Sequence, residues 1–255
     1  MAADCEYMAN ILLHLAKLRI PMPADTVNLV LRASVQQARS PHDISLSCFA
    51  AAMLLADHPD MHPTLQPALV EVVNAAADAV NALTPDDARQ LLTLHHTVAM
   101  LNRKQDSAEV DDTEHGDGLL PAALLQHCRA LQQQRARTPS FLQTALIDMV
   151  TRVPGVQAAE AEHAPLDGII RMAAVCRLES GELVGLHTRR IRPAFRNTTS
   201  LDGPAHLRTV LLEWRGLRVA QLHGGSWLRL DEDERLAVLT KAVLRRHQTA
   251  APSPM

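Results

Sequence analysis

The chain has 255 residues, of which 47% are hydrophobic, 2% are aromatic and 21% are charged, and its formal net charge is −3. This apolar content excludes a disordered tail or a collagen, and there is no run of about 18 apolar residues that would predict a membrane span. Because only six side chains are aromatic, an RNA reader that stacks bases on an aromatic sheet face is disfavoured.

The low net charge conceals an asymmetry along the chain. Residues 1–165 carry eight more acidic than basic side chains, whereas residues 166–255 carry five more basic than acidic ones. Seven arginines fall within residues 187–218, a clustering that is typical of a phosphate-binding face. The alternative is that arginine is simply the surface cation of this protein, because the chain has 22 Arg and three Lys.

The spacing of the cysteines and histidines favours neither a disulfide framework nor a zinc site. The histidine pairs 95/96 and 58/62 allow a metal site, but surface or core roles are favoured. The four cysteines lie far apart on apolar stretches, which is typical of buried thiols in a reducing compartment. They are Cys5, Cys48, Cys128 and Cys176.

The first hundred residues predict helices in pairs. Two start signals are strong, because each has a capping hydroxyl, a proline and then an acid: Ser40-Pro41-His42-Asp43 and Thr84-Pro85-Asp86-Asp87. Residues 7–18, 44–55 and 90–101 fall at similar places in successive pairs. An α-solenoid of degenerate repeats is therefore expected over residues 1–102, with an irregular helical bundle as the alternative.

The middle of the chain predicts a loop and then further helices. Residues 103–118 are rich in acids and poor in large apolar side chains, so an acidic flexible loop is expected there. Connecting helices are expected over residues 119–160, and a disordered tail over residues 248–255.

From about residue 166 the pattern becomes mixed. The apolar stretches 169–178 and 183–188, joined by Glu179-Ser180-Gly181-Glu182, predict a β-hairpin. A helix then follows Asp202, with Trp214 on its apolar stripe and Gly216 beyond its end. A strand at 217–222 and a helix with an Asp231/Glu234 capping box complete the pattern. A small α/β domain is therefore expected over residues 166–247.

This last region resembles the RAP domain, the C-terminal module of FASTK-type and octotricopeptide-repeat organellar RNA proteins. Arg208 occupies the usual basic position, Leu211–Leu212 the leucine pair, Gly216 the turn and Trp227 the tryptophan. Residues 140–143 resemble the helix that commonly precedes the module. The helical pairs resemble the degenerate repeats that accompany it.

The resemblance implies a fold similar to restriction-type nucleases but argues against their chemistry. The positions of the two metal-binding carboxylates in those nucleases fall here at Arg171 or Met172 and at His187. A guanidinium or a thioether cannot replace a carboxylate on Mg²⁺, and histidine alone is a poor Mg²⁺ ligand. We therefore expect no catalytic residues, no metal and no cofactor.

In the same region, arginine replaces the lost acids, so we expect a positive groove for an RNA backbone. Phe195 and Trp227 are candidates to stack one base each, although a core role is a strong alternative for Trp227 and is expected for Trp214. The predicted RNA-binding residues are Arg189, Arg190, Arg192, Phe195, Arg196, Arg208, Arg215 and Trp227.

The resemblance thus implies a non-catalytic protein that binds organellar mRNA or rRNA in RNA processing, stability or ribosome assembly. It also implies a mitochondrial or plastid location, although the first ten residues form no transit peptide. One alternative is a structural subunit or assembly factor of a ribonucleoprotein that binds proteins through the acidic helical half. Another is a metal-dependent nuclease that uses Asp167, Glu179 or Asp202.

Overall fold

The computed structural model describes residues 4–105, 118–134, 141–161, 164–189 and 202–245. Over these residues the protein is a mixed α+β chain, mostly helical, with one four-stranded sheet. None of the described helices is long and apolar enough to cross a membrane.

The described residues divide into two compact units. The first unit comprises the described residues within Met1–Arg137, Ala164–Ile170 and Ala194–Arg215. The second unit comprises those within Thr138–His163, Arg171–Pro193 and Gly216–Met255. The helix between the third and fourth strands therefore belongs to the first unit, whereas the sequence groups it with the C-terminal domain.

The first unit is helical. Its helices are α1 (Asp4–Lys17), α2 (Ala24–Gln37), α3 (Pro41–Asp57), α4 (His62–Asp78), α5 (Pro85–Gln105), α6 (Ala122–Gln133) and α8 (Gly203–Trp214). Helix α3 packs between α1 and α5, and α2 packs on α4, while α6 contacts α5 and α8 contacts α3. Because α3 is in contact with neighbours on several sides, it buries residues around most of its circumference, from Ile44 to Leu55.

Local capping fixes several helix starts, as the sequence predicts. The Ser40 side chain accepts a hydrogen bond from the Asp43 backbone N–H, and the Asp43 carboxylate accepts one from the Ser40 N–H at 3.1 Å. Asp202 caps α8 by accepting from the Ala205 N–H at 2.9 Å. Each cap satisfies backbone donors that a helix leaves unpaired at its N-terminus, so these starts are encoded locally.

The start of α8 also requires a glycine. A Cβ on Gly203 would lie 2.3 Å from the carbonyl oxygen of Ala16 and 3.1 Å from the Cα of Lys17. The α8 backbone therefore approaches the end of α1 more closely than any side chain permits.

We expect Gly203→Ala to lower the free energy of unfolding by roughly 1–3 kcal/mol, because backbone atoms cannot move aside without shifting α8. Gly185→Ala is the matched control, since its Cβ would also overlap a neighbour, but that neighbour is the flexible end of Met172 at 2.4 Å. Chemical denaturation of both variants measures the difference. Equal costs for the two would contradict the close approach of α8 to α1.

The second unit is built around the sheet. Its elements are α7 (Phe141–Val150), β1 (Val156–Ala161), β2 (Ala174–Leu178), β3 (Leu183–Arg189), β4 (Leu217–His223), α9 (Gly224–Trp227) and α10 (Glu232–Leu244). The strand order is β1-β2-β3-β4. Strand β2 pairs with β1 and with β3 in antiparallel fashion, whereas β3 and β4 are parallel. Helix α7 packs on β1 and β2, and α10 packs on β4 and α7. The core lies between the sheet and these helices and includes Leu146, Val184, Leu222, Trp227 and Leu239.

The predicted hairpin is confirmed, with a shorter first strand. Strands β2 and β3 pair through Ala174–Leu186 to Arg177–Leu183, and Gly181 in the turn has a φ of 82°. The strand begins at Ala174 and not at residue 169. The predicted strand at 217–222 and the capping box of Asp231 with Glu234 are also confirmed.

The prediction of connecting helices as far as residue 160 is wrong at its end. Residues Val156–Ala161 form β1, which pairs with β2. The segment reads Val-Gln-Ala-Ala-Glu-Ala, a composition that favours helix locally. Pairing with a neighbouring strand overrides this helix preference, and the local sequence pattern does not predict the pairing.

Two predicted segments fall largely outside the described residues. They are the acidic loop, of which residues 106–117 are not described, and the tail at 248–255. Arg103, which the sequence places at the start of that loop, lies in the last turns of α5.

Candidate nucleic-acid interface

Half of the predicted RNA-binding residues lie outside the described residues. These are Arg190, Arg192, Phe195 and Arg196. Arg189 is the last residue of β3, and its backbone is paired with His223 of β4; its side chain is not described. The predicted groove around these residues therefore stays a prediction.

Arg208 and Arg215 are described, and both belong to the first unit. Arg208 lies in the middle of α8, and Arg215, seven positions later, is the C-cap residue that follows the helix. Arg208 is half-buried and Arg215 is exposed. The sequence expectation that the two lie on one helix face therefore stays a prediction, because Arg215 lies beyond the last residue of α8.

Trp214 is not the core residue that the sequence predicts. It is half-buried, and the Arg215 guanidinium carbon lies 5.7 Å from the centroid of its ring. A second guanidinium, that of Arg103 from α5, lies 5.6 Å from the same centroid. Two cations therefore contact one indole within the first unit, at the distance of cation–π interactions.

The sequence does not single out Arg103, because 111 positions separate it from Trp214 and nothing local connects them. It also places Trp214 on the apolar stripe with Leu207 and Leu211, which are indeed buried. Trp214 is the last residue of α8, and its ring is left at the edge of that stripe. We refer to Arg103, Trp214 and Arg215 as the Arg–Trp cluster.

Trp227 lies in the core of the second unit, which excludes the predicted stacking role in this conformation. Its side chain is 2% exposed, and its indole Nε1–H donates to the Arg235 carbonyl oxygen at 3.2 Å. The Arg235 guanidinium covers the ring at 5.5 Å and donates from Nε to the Trp227 carbonyl oxygen. The core role that the sequence left as the alternative is therefore the observed one.

Arg218 belongs to the arginine-rich stretch, but its guanidinium holds the second unit together. Its Nε donates to Glu182 Oε1 at 2.5 Å, and its other nitrogens donate to the carbonyl oxygens of Arg245 and Val243. Because its guanidinium binds one carboxylate and two carbonyl oxygens, Arg218 joins β4 to the β2–β3 turn and to the end of α10. This arginine is a structural residue.

Asp167, a carboxylate of the nuclease alternative, is held by basic groups. Its Oδ2 lies 3.0 Å from His96 Nε2, and its Oδ1 accepts from Arg129 Nε at 2.9 Å. Burial acts to raise the pKa of Asp167, but the hydrogen bond from His96 and the charges of His96 and Arg129 outweigh burial and lower it. The described residues contain no group of three His, Cys, Asp or Glu side chains placed to hold a metal ion.

The neighbouring His95 has a structural role. It is 6% exposed, and its Nδ1 accepts a hydrogen bond from the Leu120 N–H at 3.2 Å. Burial, and then the charge of His96, lowers the pKa of His95 to about 4. An imidazole with this pKa is neutral near pH 7 and serves as an acceptor.

This pKa predicts an acid-labile first unit. In the unfolded chain His95 is protonated below the ordinary histidine pKa of about 6.5. In the folded protein it is protonated only below about pH 4. Stability therefore falls as the pH falls across this window, by up to about 3 kcal/mol. In His95→Asn, which keeps an acceptor near the Nδ1 position, we expect a flatter stability curve from pH 6.5 to 4 in denaturation experiments. Parallel curves for the two proteins would contradict the assignment.

The positions where the resemblance would place nuclease carboxylates are occupied by other groups. Arg171 is exposed, Met172 is buried just before β2, and His187 is half-buried in β3. These positions all belong to the second unit.

The thiols whose side chains are described, Cys48, Cys128 and Cys176, are free and buried. Burial raises the pKa of Cys128 to about 12 and that of Cys176 to about 11. Thiols with such pKa values carry little thiolate near neutral pH and are poor nucleophiles and metal ligands.

Comparison with known proteins adds no relative: no protein-family model matches the chain, and no curated protein matches it significantly.

Proposed function

We propose that this protein binds single-stranded RNA without cleaving it, through the basic side of α8 together with the arginine-rich segment that precedes it. The observation that carries the proposal is the convergence of Arg103 and Arg215 on the ring of Trp214. Two guanidinium groups brought close together form a basic surface, and a basic surface favours a polyanionic ligand. Arg208, in the middle of α8 and seven positions before Arg215, adds a further basic side chain to this part of the first unit.

The same proposal includes the finer assignments that rest on the sequence resemblance. In it the chain is a RAP-type protein, the helical pairs of the first unit are degenerate repeats, and the sheet unit is a restriction-endonuclease-like module. Its RNA partner is an organellar mRNA or rRNA, and its role lies in processing, stability or ribosome assembly. The placement of Asp167 between His96 and Arg129 supports a role without cleavage, because that carboxylate already has two basic partners.

A second candidate is a protein-binding subunit of a ribonucleoprotein. Two large apolar side chains, Ile11 of α1 and Leu18 directly after the end of that helix, are 52% and 50% exposed. Exposed apolar side chains on an acidic unit suit a protein partner better than a phosphate backbone. Co-purification of partner proteins that survives RNase digestion, and is lost in Ile11→Asp/Leu18→Asp, would favour this candidate.

The direct test of RNA binding is a fluorescence anisotropy titration of the purified chain with a labelled single-stranded RNA. We expect Arg103→Ala/Arg215→Ala to weaken binding by about tenfold or more, because each lost charge-assisted contact with a phosphate is worth about 1 kcal/mol or more. The matched control is Arg32→Ala/Arg229→Ala, which removes two exposed arginines elsewhere and changes the net charge equally. Equal weakening of RNA binding in both variants would contradict the assignment of the RNA-binding site to α8.

Cleavage is tested with the same reagents. A labelled RNA incubated with the protein and Mg²⁺ should stay intact on a denaturing gel. Mg²⁺-dependent cleavage that disappears in a carboxylate variant such as Asp167→Asn would establish the nuclease alternative instead.

A further inference from the structure

An open groove in the second unit runs along the outer side of α10. It has a volume of about 570 Å³ and is lined by α10 and by Arg152 and Pro154, which follow α7. Because the α10 residues of the groove recur every three or four positions, they form one face of the helix, which we call the α10 face. These residues are Asp233, Leu236, Ala237, Thr240, Lys241 and Leu244.

The exposed large apolar side chains of the second unit are gathered in and beside α10. Among the residues described for this unit they are Leu228, Val238 and Leu244, which are 40%, 42% and 44% exposed. Two of them belong to α10, and Leu228 lies four positions before its start. Apolar side chains that are exposed together, beside a groove with a charged rim, indicate an interaction surface.

The two charges of the α10 face are arranged symmetrically about its centre. Asp233 lies four positions before Ala237, and Lys241 lies four positions after it. Both charged side chains are exposed, and neither has an opposite charge three or four positions away within α10. The ion pairs that commonly satisfy charges along one helix are therefore not available to them. Arg152, at the rim, pairs with Glu232.

We propose that the α10 face is a homodimer interface, on which α10 of a second copy of this chain packs antiparallel with a two-fold axis near Ala237. In this arrangement Asp233 of each copy faces Lys241 of the other, so the symmetry forms two ion pairs. The small Ala237 side chain lies where the helices cross and permits an axial separation of about 8–10 Å. Leu244 of each copy then approaches the exposed Leu228 of the other.

The charges favour a second copy over other occupants. A strongly acidic partner would be repelled by Asp233, and a strongly basic one by Lys241. A parallel pair of α10 helices would place like charges side by side. Antiparallel packing of two identical faces gives each charge an opposite partner, which is the self-complementarity that a two-fold interface requires.

The size of the face predicts a weak dimer. Helix α10 has 13 residues, which corresponds to a length of about 20 Å. One helix-to-helix contact of this length buries less than the roughly 800 Å² per partner of a standard stable interface. We therefore expect a dissociation constant of about 10–100 μM, so that the dimer forms as the protein concentration rises.

Sedimentation velocity of the full-length, RNase-treated protein over about 1–200 μM tests the proposal without relying on RNA binding. The average mass of the wild type should rise towards that of a dimer. Asp233→Lys and Lys241→Glu each bring like charges together at two symmetric places, so each variant alone should dimerise at least about tenfold more weakly. An equimolar mixture of the two variants should dimerise again, because each cation of one variant then faces a carboxylate of the other.

The matched control is Asp25→Lys, which reverses an exposed acid at the second position of α2. Asp233 holds the same position in α10, so both variants place a cation at a helix N-terminus. The control should dimerise like the wild type, and circular dichroism checks that every variant is folded. A wild type that stays monomeric at about 200 μM would contradict the proposal. So would folded charge-reversal variants that dimerise as well as the wild type, or a mixture of them that stays monomeric.

Discussion

Trp227→Ala is expected to lower the free energy of unfolding by about 3–5 kcal/mol, one of the two largest effects that we predict. The indole is enclosed by the core of the second unit, where Leu222 and Leu239 belong to the same cluster. Its removal leaves a cavity and deprives the Arg235 guanidinium of the ring that it covers. Urea denaturation followed by circular dichroism measures the loss.

The control for this prediction is Trp227→Phe. This variant keeps an aromatic ring in the core and loses the Nε1 hydrogen bond to the Arg235 carbonyl oxygen, so a loss of about 1–2 kcal/mol is expected. Since the ring is buried, the RNA affinity of folded Trp227→Phe should equal that of the wild type. Reduced RNA affinity in a folded Trp227→Phe protein would contradict this account and would indicate that Trp227 contacts the RNA.

Asp87→Ala is expected to cost about 2–4 kcal/mol, the other large effect. The Asp87 side chain is 1% exposed and joins the N-terminal ends of α3 and α5. Its Oδ1 accepts from Ser45 Oγ at 2.6 Å and lies 2.9 Å from His42 Nδ1, and its Oδ2 accepts from the backbone N–H and the hydroxyl of Thr84. Alanine would leave buried donors unpaired, and unpaired buried donors are costly.

The contribution of Asp87 should depend on pH. Burial acts to raise the pKa of Asp87, but the hydrogen bonds from Ser45, Thr84 and His42 outweigh burial and lower it. A lowered folded pKa means that the carboxylate stabilises the protein above its ordinary pKa of about 4, and that this is lost as the pH falls through the folded value. The stability gap between wild type and Asp87→Asn should therefore shrink in acid. A gap that is the same at pH 7 and pH 3 would contradict this account.

The parts of the fold that the sequence predicts are those encoded within a few residues. The caps at Ser40, Asp202 and Asp231 are confirmed because each side chain bonds to a backbone group three residues away. Gly216 follows α8 with a φ of 74°, a conformation that glycine adopts without strain. These signals need no knowledge of the tertiary structure.

The parts that the sequence misses depend on distant partners. Strand β1 exists because β2 pairs with it, while its own residues favour helix. From the sequence, Arg218 is predicted to be one of the surface cations of the arginine-rich stretch. In the structure its guanidinium binds the carboxylate of Glu182, 36 positions away, and has a structural role. Helical periodicity places Trp214 on an apolar stripe but does not show that Arg103 of α5 reaches the same ring.

The measurement that tests the central claim most directly is the salt dependence of RNA binding. The affinity of the full-length protein for oligouridylate is measured at several salt concentrations for the wild type, for Arg103→Ala/Arg215→Ala and for the Arg32→Ala/Arg229→Ala control. Each phosphate contact adds about 0.7 to the slope of log affinity against log salt for a single strand. We therefore predict that the first variant lowers the slope by up to about 1.4 and that the control leaves it unchanged. A slope that is the same in all three proteins would contradict a phosphate-binding role for the Arg–Trp cluster.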